Sequence, residues 1–362
     1  MPSPARSERL LQASTLRYRV ALEPAISALD SLMLLNSVLE VSGLDEWVAR
    51  TAAALPAEVR HNNRLVLHGL YFALSPERQG LTFPAYVDDL AARPPATLRD
   101  RLLDQLIQRG KAPAAMEDQR ARILASAESY LAFLHEHFPS ANIEDDIEAE
   151  VHHLLLAPDE MRHLIVSHLR LMWDEYMAPE WRRLEPLLAE SVSALRRVPL
   201  AGLSALEAVR AVTGQQLLGE RQKILGSATE IIFVPSVHTG PYLDTFQHGD
   251  LMWLIFGARL PEAGADSSSA LSRSDLLVRL SALTDDIRLR MLALLSGQGE
   301  LCSQDIMTQL RLTQSATSRH LRQLSAAGYV VERRREGAKC YTLNRDRVRE
   351  TFRALDRFLD GA

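Results

Sequence analysis

Apolar residues recur at intervals of three and four over most of the first 260 residues, the periodicity of helices with one buried face. The pattern predicts helices over residues 25–39, 98–107, 120–137 and 160–176. Residues 16–22 alternate apolar and basic side chains, and residues 230–234 read EIIFV, so both segments are predicted strands that are candidates to pair. Residues 235–249 hold two prolines and two glycines and are predicted to form a surface loop.

The last part of the chain has shorter periodic segments separated by turn signals. Helices are predicted over residues 275–283, 286–296, 303–310 and 345–359, with short strands over residues 300–302, 329–335 and 339–343. Residues 261–274, PEAGADSSSALSRS, are small and polar and predict a linker. The predicted fold is mainly α: a mostly helical domain over residues 1–260 with a few short strands, the linker 261–274, and an α+β domain over residues 275–362.

The segment from Leu312 to Gly328 carries the most chemistry. Thr313 is placed to cap a helix, and Gly328 is placed to end it. Leu321 and Leu324 are predicted to face inward together with Leu312. The side chains predicted to project outward are those of Gln314, Ser315, Ser318, Arg319 and Arg322, all able to hydrogen-bond to bases or phosphates.

Two strings, ALTDDIRLRMLALLSGQGELC and LTQSATSRHLRQLSAAGYVVERRREGAKCYTL, resemble the winged helix-turn-helix domain of ArsR-type regulators. The resemblance implies a homodimer that binds double-stranded operator DNA, as a repressor, without a cofactor. It implies major-groove contacts by Gln314, Ser315, Ser318 and Arg319, and phosphate contacts by Ser318, His320 and Arg322. It implies wing contacts by Arg333, Arg334, Arg335 and Lys339. The long N-terminal region resembles that of a minority of family members.

One departure from the family pattern concerns metals. Metal-sensing members carry C-x-C where this chain reads Cys302-Ser303-Gln304, and a soft metal needs two or three thiolates. No metal site is therefore predicted at this helix. The histidines at 135, 137, 152, 153, 163 and 168 show no metal-ligand spacing such as HExxH. His238 and His248 do not show such a spacing either. Surface or capping roles are predicted for all of these histidines.

Cys302 and Cys340 are the two cysteines of the chain. In a winged helix, the short strand before the first motif helix pairs with the second wing strand, which would bring these thiols together. They are a candidate redox pair, in which a reversible disulfide reshapes the wing. The alternative is two small, partly buried thiols in a reducing cytosol.

Charge and composition narrow the class of protein. Residues 274–362 hold 15 Lys and Arg against 11 Asp and Glu, whereas the whole chain has a net charge of −5. A basic module on an acidic body is typical of a nucleic-acid binder with a regulatory domain.

Without a membrane span or a signal-peptide core, a cytoplasmic location is predicted. No catalytic motif is recognised, so an enzyme is not expected. The N-terminal domain is expected to sense an effector; the alternative is a docking or dimerisation scaffold without a ligand.

Overall fold

A computed structural model describes residues 16–38, 41, 43–112, 115–138, 143–215, 217, 222–223, 225, 228–258 and 273–360. The N-terminal part is a set of helices around one small sheet. Its helices are α1 (Pro24–Leu34), α2 (Glu46–Ala54), α3 (Ala57–Arg64), α4 (Phe83–Ala92), α5 (Pro95–Gly110), α6 (Met116–Ala125), α7 (Ala127–His137), α8 (Asp145–Leu156), α9 (Pro158–Met172), α10 (Ala178–Leu195) and α11 (Ala205–Thr213). Its strands are β1 (Arg17–Val20), β2 (Glu230–Ser236), β3 (Leu243–His248) and β4 (Leu251–Gly257).

The strands form one mixed sheet in the order β1-β2-β4-β3. The two strands predicted from the sequence do pair, in parallel, with Arg17 opposite Glu230. β2 and β4 are also parallel, whereas β3 returns antiparallel to β4. The prediction of a surface loop over residues 235–249 is wrong for Pro235 and Ser236, which end β2, and for β3. Both strands are stabilised by their ladders with β4, a partner that local turn signals do not reveal.

Both faces of this sheet are buried. Ile232 and Trp253 lie in the larger core, which most of the helices share, while Ile231 and Leu254 lie in a second core with α11. β2 is buried from Ile231 to its end, which is typical of parallel strands covered on both faces. Such a strand reads as a continuous apolar run, as EIIFV does.

The C-terminal part is a helical domain with a small antiparallel sheet. Its elements are α12 (Arg273–Ser281), α13 (Asp286–Gln298), β5 (Leu301–Cys302), α14 (Ser303–Leu310), α15 (Gln314–Ala326), β6 (Val330–Arg335), β7 (Ala338–Leu343) and α16 (Arg345–Leu359). The sheet order is β5-β7-β6. The mainly α fold class with an α+β C-terminal part is thereby confirmed. The predicted linker 261–274 lies outside the described residues, apart from its last two positions, which begin α12.

The hairpin β6–β7 turns over two residues rather than the three predicted. Glu336 and Gly337 have φ angles of 52° and 84°. Two consecutive positive φ angles belong to the turn type whose twist matches that of the flanking strands. Among the described helices, none combines the length and the apolar character that crossing a membrane requires.

Candidate nucleic-acid interface

Helix α15 begins and ends at the residues that its sequence indicates. The Thr313 hydroxyl accepts a hydrogen bond from Ala316 N at 3.2 Å, which satisfies a free amide of the first turn. At the other end, Tyr329 N donates to Leu324 O at 2.9 Å and Gly328 N donates to Ser325 O at 3.0 Å. This pattern requires a left-handed residue, and Gly328 supplies it with a φ of 81°. Both ends of α15 are thus fixed by hydrogen bonds between residues that are close in sequence.

The N-terminal half of α15 presents a polar face to solvent. Leu321 and Leu324 are fully buried against α13 and the sheet, as predicted. The predicted contact residues Gln314, Ser315, Ser318 and Arg322 are exposed, and Arg319 is half-buried. The helix therefore offers amide, hydroxyl and guanidinium groups along one face, the groups that read base edges in a major groove.

His320 lies elsewhere. Its side chain is 6% exposed, and its Nδ1 is 3.6 Å from Asp285 Oδ1, the residue that caps α13. Burial lowers the pKa of His320, although the Asp285 carboxylate opposes this shift. Within the described part of the chain, neither ring nitrogen has a hydrogen-bond partner. The ring is not presented to solvent as the neighbouring predicted contact residues are, and its phosphate contact remains a prediction.

The hairpin beside α15 carries an excess of positive charge. Arg333, Arg334 and Arg335 are exposed, and Arg334 lies directly opposite Lys339 across the ladder. Like charges opposite each other on a hairpin are unfavourable. Glu332 offsets part of this repulsion, since its Oε1 is 3.4 Å from the Lys339 ammonium. The remaining positive charge favours an anionic partner.

Cys302 and Cys340 occupy paired positions of β5 and β7, with Cα atoms 3.8 Å apart, and they are joined by a disulfide. The bond ties the start of α14 to the wing, because α14 begins at the next residue, Ser303. The structure therefore brings together the two cysteines that the sequence paired. Whether the bond responds to redox conditions remains a prediction.

The C-terminal half of α15 faces the N-terminal part of the protein. Gln323 is buried, and a Cβ added to Gly43 would lie 3.2 Å from its Nε2 atom. A cavity of about 180 Å³ lies at this junction, lined by Gly240 and Pro241 on one side and by Ala327 and Arg347 on the other. Arg347 Nε also donates to Ala327 O at 3.1 Å. The C-terminal half of α15 thus packs against the N-terminal part of the protein and borders the cavity.

Sequence reasoning missed the buried arginines of this junction. Arg279 and Arg347 both contact Glu350 Oε2 at 3.1 Å, and Arg288 Nε donates to Ala282 O at 2.7 Å. Each is less than a tenth exposed. An arginine gives no local signal of burial, because only the tertiary structure supplies the carboxylates and carbonyl groups that its five donors need.

The histidines considered as metal ligands in the sequence are dispersed in the structure, and three of those described are buried. His135 is exposed and pairs with Asp145 Oδ1 at 3.0 Å. His168 is buried, with Nε2 3.1 Å from Asn63 Oδ1, and burial lowers its pKa to about 4. His152 is buried as well. The prediction of surface or capping positions was therefore wrong for His152 and His168, which face the core from α8 and α9, and for His238, which is buried after β2.

Taken together, α14, a tight turn, the capped α15 and a basic hairpin define a winged helix-turn-helix domain, a class that places its second helix in the major groove of DNA. Residues 285–331 match the family model described as bacterial regulatory protein, arsR family. A segment of 53 residues is 45% identical to the arsenic resistance transcriptional regulator ArsR1 of Pseudomonas putida, covering 15% of this chain and 41% of that protein.

These matches identify residues 285–331 as an ArsR-type helix-turn-helix domain, which confirms the family resemblance. The chain spans about two fifths of the length of the relative that it matches. The segment that matches the family model contains the exposed face of α15. It does not include the N-terminal part of the chain.

Proposed function

We propose that the protein is a DNA-binding transcriptional regulator that acts in the cytoplasm as a dimer on a pseudo-palindromic operator. The observation that carries this proposal is the exposed polar face of α15 beside a basic hairpin, within a domain similar to those of known regulators. Two such helices, one from each protomer, would enter successive major grooves about 34 Å apart. Repression by occupying a promoter is the mode of action that the family likeness supports.

The proposed contacts divide into two kinds. Gln314, Ser315 and Arg319 would read base edges, and bidentate pairing of the Arg319 guanidinium with guanine is the contact that discriminates most. The wing arginines would contact phosphates, which contribute affinity but no sequence preference. Specificity and salt dependence should therefore respond to different substitutions.

The first experiment measures binding of the purified full chain to DNA from upstream of its own gene and to a scrambled duplex. Arg319→Ala is expected to weaken binding to the specific DNA roughly 10- to 100-fold while changing binding to the scrambled duplex much less. Arg182→Ala on α10, an exposed arginine of the N-terminal part, is the control and should change neither. Equal affinity of the unaltered protein for both duplexes would contradict the operator proposal.

Dimerisation is proposed to use α16. Phe352 and Phe358 on this helix are 51% and 50% exposed, and Leu359 is 72% exposed. Large apolar side chains grouped at a surface are typical of an interaction site, and a two-fold interface buries the same patch of both protomers.

Phe352→Glu is expected to shift the protein from dimer to monomer in size-exclusion chromatography with light scattering, because it places a charge in the proposed apolar interface. DNA affinity should fall with it, since each monomer then binds one half-site. Leu156→Glu, which alters a side chain 56% exposed on α8, is the matched control. A Phe352→Glu protein that stays dimeric would exclude this face.

The N-terminal part is proposed to modulate DNA binding in response to a signal. The cavity at the junction supports this, because its walls come from both parts and it lies under the C-terminal half of α15. A cavity of about 150 Å³ holds a ligand the size of benzene. A ligand bound in this cavity would change the packing beneath the C-terminal half of α15. Because the other half of the same helix is exposed, this change would bias the position of the exposed face. A docking scaffold without a ligand, the alternative, would need no such cavity.

The Cys302–Cys340 disulfide is proposed to be a second control on DNA binding. Cross-linking residues separated by 38 positions stabilises a domain by about 3–4 kcal/mol. We expect Cys302→Ser to lower the unfolding midpoint of the winged domain, and reduction of the unaltered protein by dithiothreitol to have the same effect. DNA affinity should change in both cases, because the bond ties the wing to α14. Equal affinity of the oxidised and reduced proteins would leave the disulfide a structural role only.

A further inference from the structure

Three potential metal ligands meet in the N-terminal part, away from the winged domain. Donor atoms of Asp45, Glu180 and His238 all lie within 4.8 Å of one another. Asp45 precedes α2, Glu180 lies in the first turn of α10, and His238 follows β2. His238 is 1% exposed and the Glu180 side chain is 8% exposed. Two of the three residues are therefore buried and Asp45 is half-buried, and the group is assembled from three distant segments.

The His238 ring is held so that one nitrogen faces the carboxylates. Its Nδ1 is 2.7 Å from Ser31 Oγ, and the Ser31 hydroxyl donates to Ser27 O at 2.8 Å. Ser31 has one proton to donate, so it accepts from His238, and the ring proton is assigned to Nδ1. Trp47 stacks on the ring at 4.5 Å and 13°. A ligating histidine is oriented in this way, with its other nitrogen donating to an outer partner.

The second nitrogen, Nε2, lies 3.2 Å from Glu180 Oε1. This contact is satisfied either by a second ring proton, which makes the pair an imidazolium–carboxylate hydrogen bond, or by a metal ion bound to both atoms. Ligand atoms bound about 2.0–2.2 Å from one ion are roughly 2.8–3.1 Å apart in octahedral geometry and roughly 3.3–3.6 Å apart in tetrahedral geometry. The observed separation lies within that range, and a carboxylate oxygen of Asp45, the cap of α2, lies within 4.8 Å of both atoms.

We propose that Asp45, Glu180 and His238 bind one divalent first-row transition-metal ion. One imidazole nitrogen and two carboxylate oxygens suit Zn²⁺, Mn²⁺ or Fe²⁺ rather than a soft, thiolate-seeking metal. The competitor is Arg183, whose Nε donates to Glu180 Oε2 at 3.0 Å and whose Nη2 donates to Oε1, the oxygen that faces His238, at 2.5 Å. The Arg183 side chain is 56% exposed, so it can turn to solvent when the ion takes its place.

The ion would brace the junction with the winged domain. Asp45 and His238 sit next to Gly43 and Gly240, whose backbones are so close that a Cβ on Gly240 would collide with Gly43 O. Gly43 is also the neighbour of Gln323 on α15, and Gly240 lines the junction cavity. Linking these two loops through one ion would stiffen the surface on which α15 rests. The proposed metal site does not depend on the proposed DNA-binding function.

The test uses the full chain after treatment with EDTA and removal of the chelator. Equilibrium dialysis against Zn²⁺, with metal quantified by mass spectrometry, is expected to give one tightly bound ion per chain. Binding should also change the tryptophan fluorescence, because Trp47 stacks on His238, and this change should vanish in Trp47→Phe. Mn²⁺ serves as a second probe with the same expected stoichiometry.

His238→Ala is expected to lower Zn²⁺ affinity at least 100-fold, and Ser31→Ala roughly 10-fold through its loss of ring orientation. His135→Ala, an exposed histidine on α7, is the matched control and should leave the affinity unchanged. Should His238→Ala fail to fold, Glu180→Gln takes its place, and the Co²⁺ absorption spectrum of the unaltered protein reports the nitrogen and oxygen ligands. Absence of tight binding, or binding that both His238→Ala and Glu180→Gln retain, would overturn the proposal.

Discussion

Replacing Arg333, Arg334 and Arg335 together by alanine is expected to weaken DNA binding at about 100 mM salt by at least roughly a hundredfold. The three side chains are exposed on the wing, and a dimer would lose six of them. Each phosphate contact contributes about 0.9 to the slope of log affinity against log salt. The slope should therefore fall by about 5 if all six contact phosphates.

The measurement is fluorescence anisotropy with a labelled operator duplex from about 50 to about 200 mM salt. The control replaces Arg50, Arg182 and Arg210, three exposed arginines of the N-terminal part, and so makes the same change in net charge. It should leave the slope unchanged, because these residues lie on the part that is not proposed to bind DNA. A wing variant with the slope of the unaltered protein would show that the hairpin does not touch the DNA backbone.

The free energy of unfolding is expected to fall as pH rises, and replacing Asp30 by asparagine is expected to remove much of this fall. Asp30, on α1, is fully buried, and its Oδ2 accepts from the Thr239 hydroxyl at 2.8 Å and from the Ser236 hydroxyl at 3.4 Å. Burial, reinforced by the charge of Asp244, raises the pKa of Asp30 to about 8 from its ordinary value of 3.8.

The folded and unfolded states bind different numbers of protons at Asp30, which sets the direction of the pH effect. Between about pH 4 and pH 8 the folded protein keeps the Asp30 proton, whereas the unfolded chain has lost it. The free energy of unfolding therefore falls as pH rises, by up to about 1.4 kcal/mol per pH unit. An asparagine is neutral throughout, so Asp30→Asn should be less stable relative to the unaltered protein at pH 5 than at pH 8. Burial also raises the pKa of Asp244, so part of the slope should remain.

Urea denaturation at several pH values between 5 and 8 measures this slope. Asp159→Asn, which alters a side chain 86% exposed, is the control and should leave the slope unchanged. If Asp30→Asn retained the full slope, the Asp30 carboxyl would have to be ionised in the folded protein.

The winged domain was the most predictable part of the molecule, because its signals are local. A cap at Thr313, a left-handed glycine at Gly328 and a chain reversal at Gly337 each depend on a few contiguous residues, although the turn at Gly337 is one residue shorter than predicted. The position of His320 was also readable: Thr317, Leu321 and Leu324 share its face at helical spacing, and all are buried. The family pattern assigned it to phosphate instead, where periodicity would have placed it inside.

The N-terminal part was less predictable, because its organising contacts are remote in sequence. β1 pairs with β2 across more than 200 residues, and β3 is a strand because β4 lies beside it. Asp30, Glu180 and His238 read as ordinary polar residues of a helix or loop, and their spacing gives no sign that they are buried.

The sequence by itself therefore determined the class of the C-terminal domain and the exposed polar face of α15, and it gave the pairing of the cysteines as one of two alternatives. Helix caps, turns and amphipathic faces are properties of short segments. Only the tertiary structure decided which charged groups are buried, which loops meet at the junction, and where a cavity and a metal-binding group arise. These depend on the desolvation of each group and on partners that chain folding brings together.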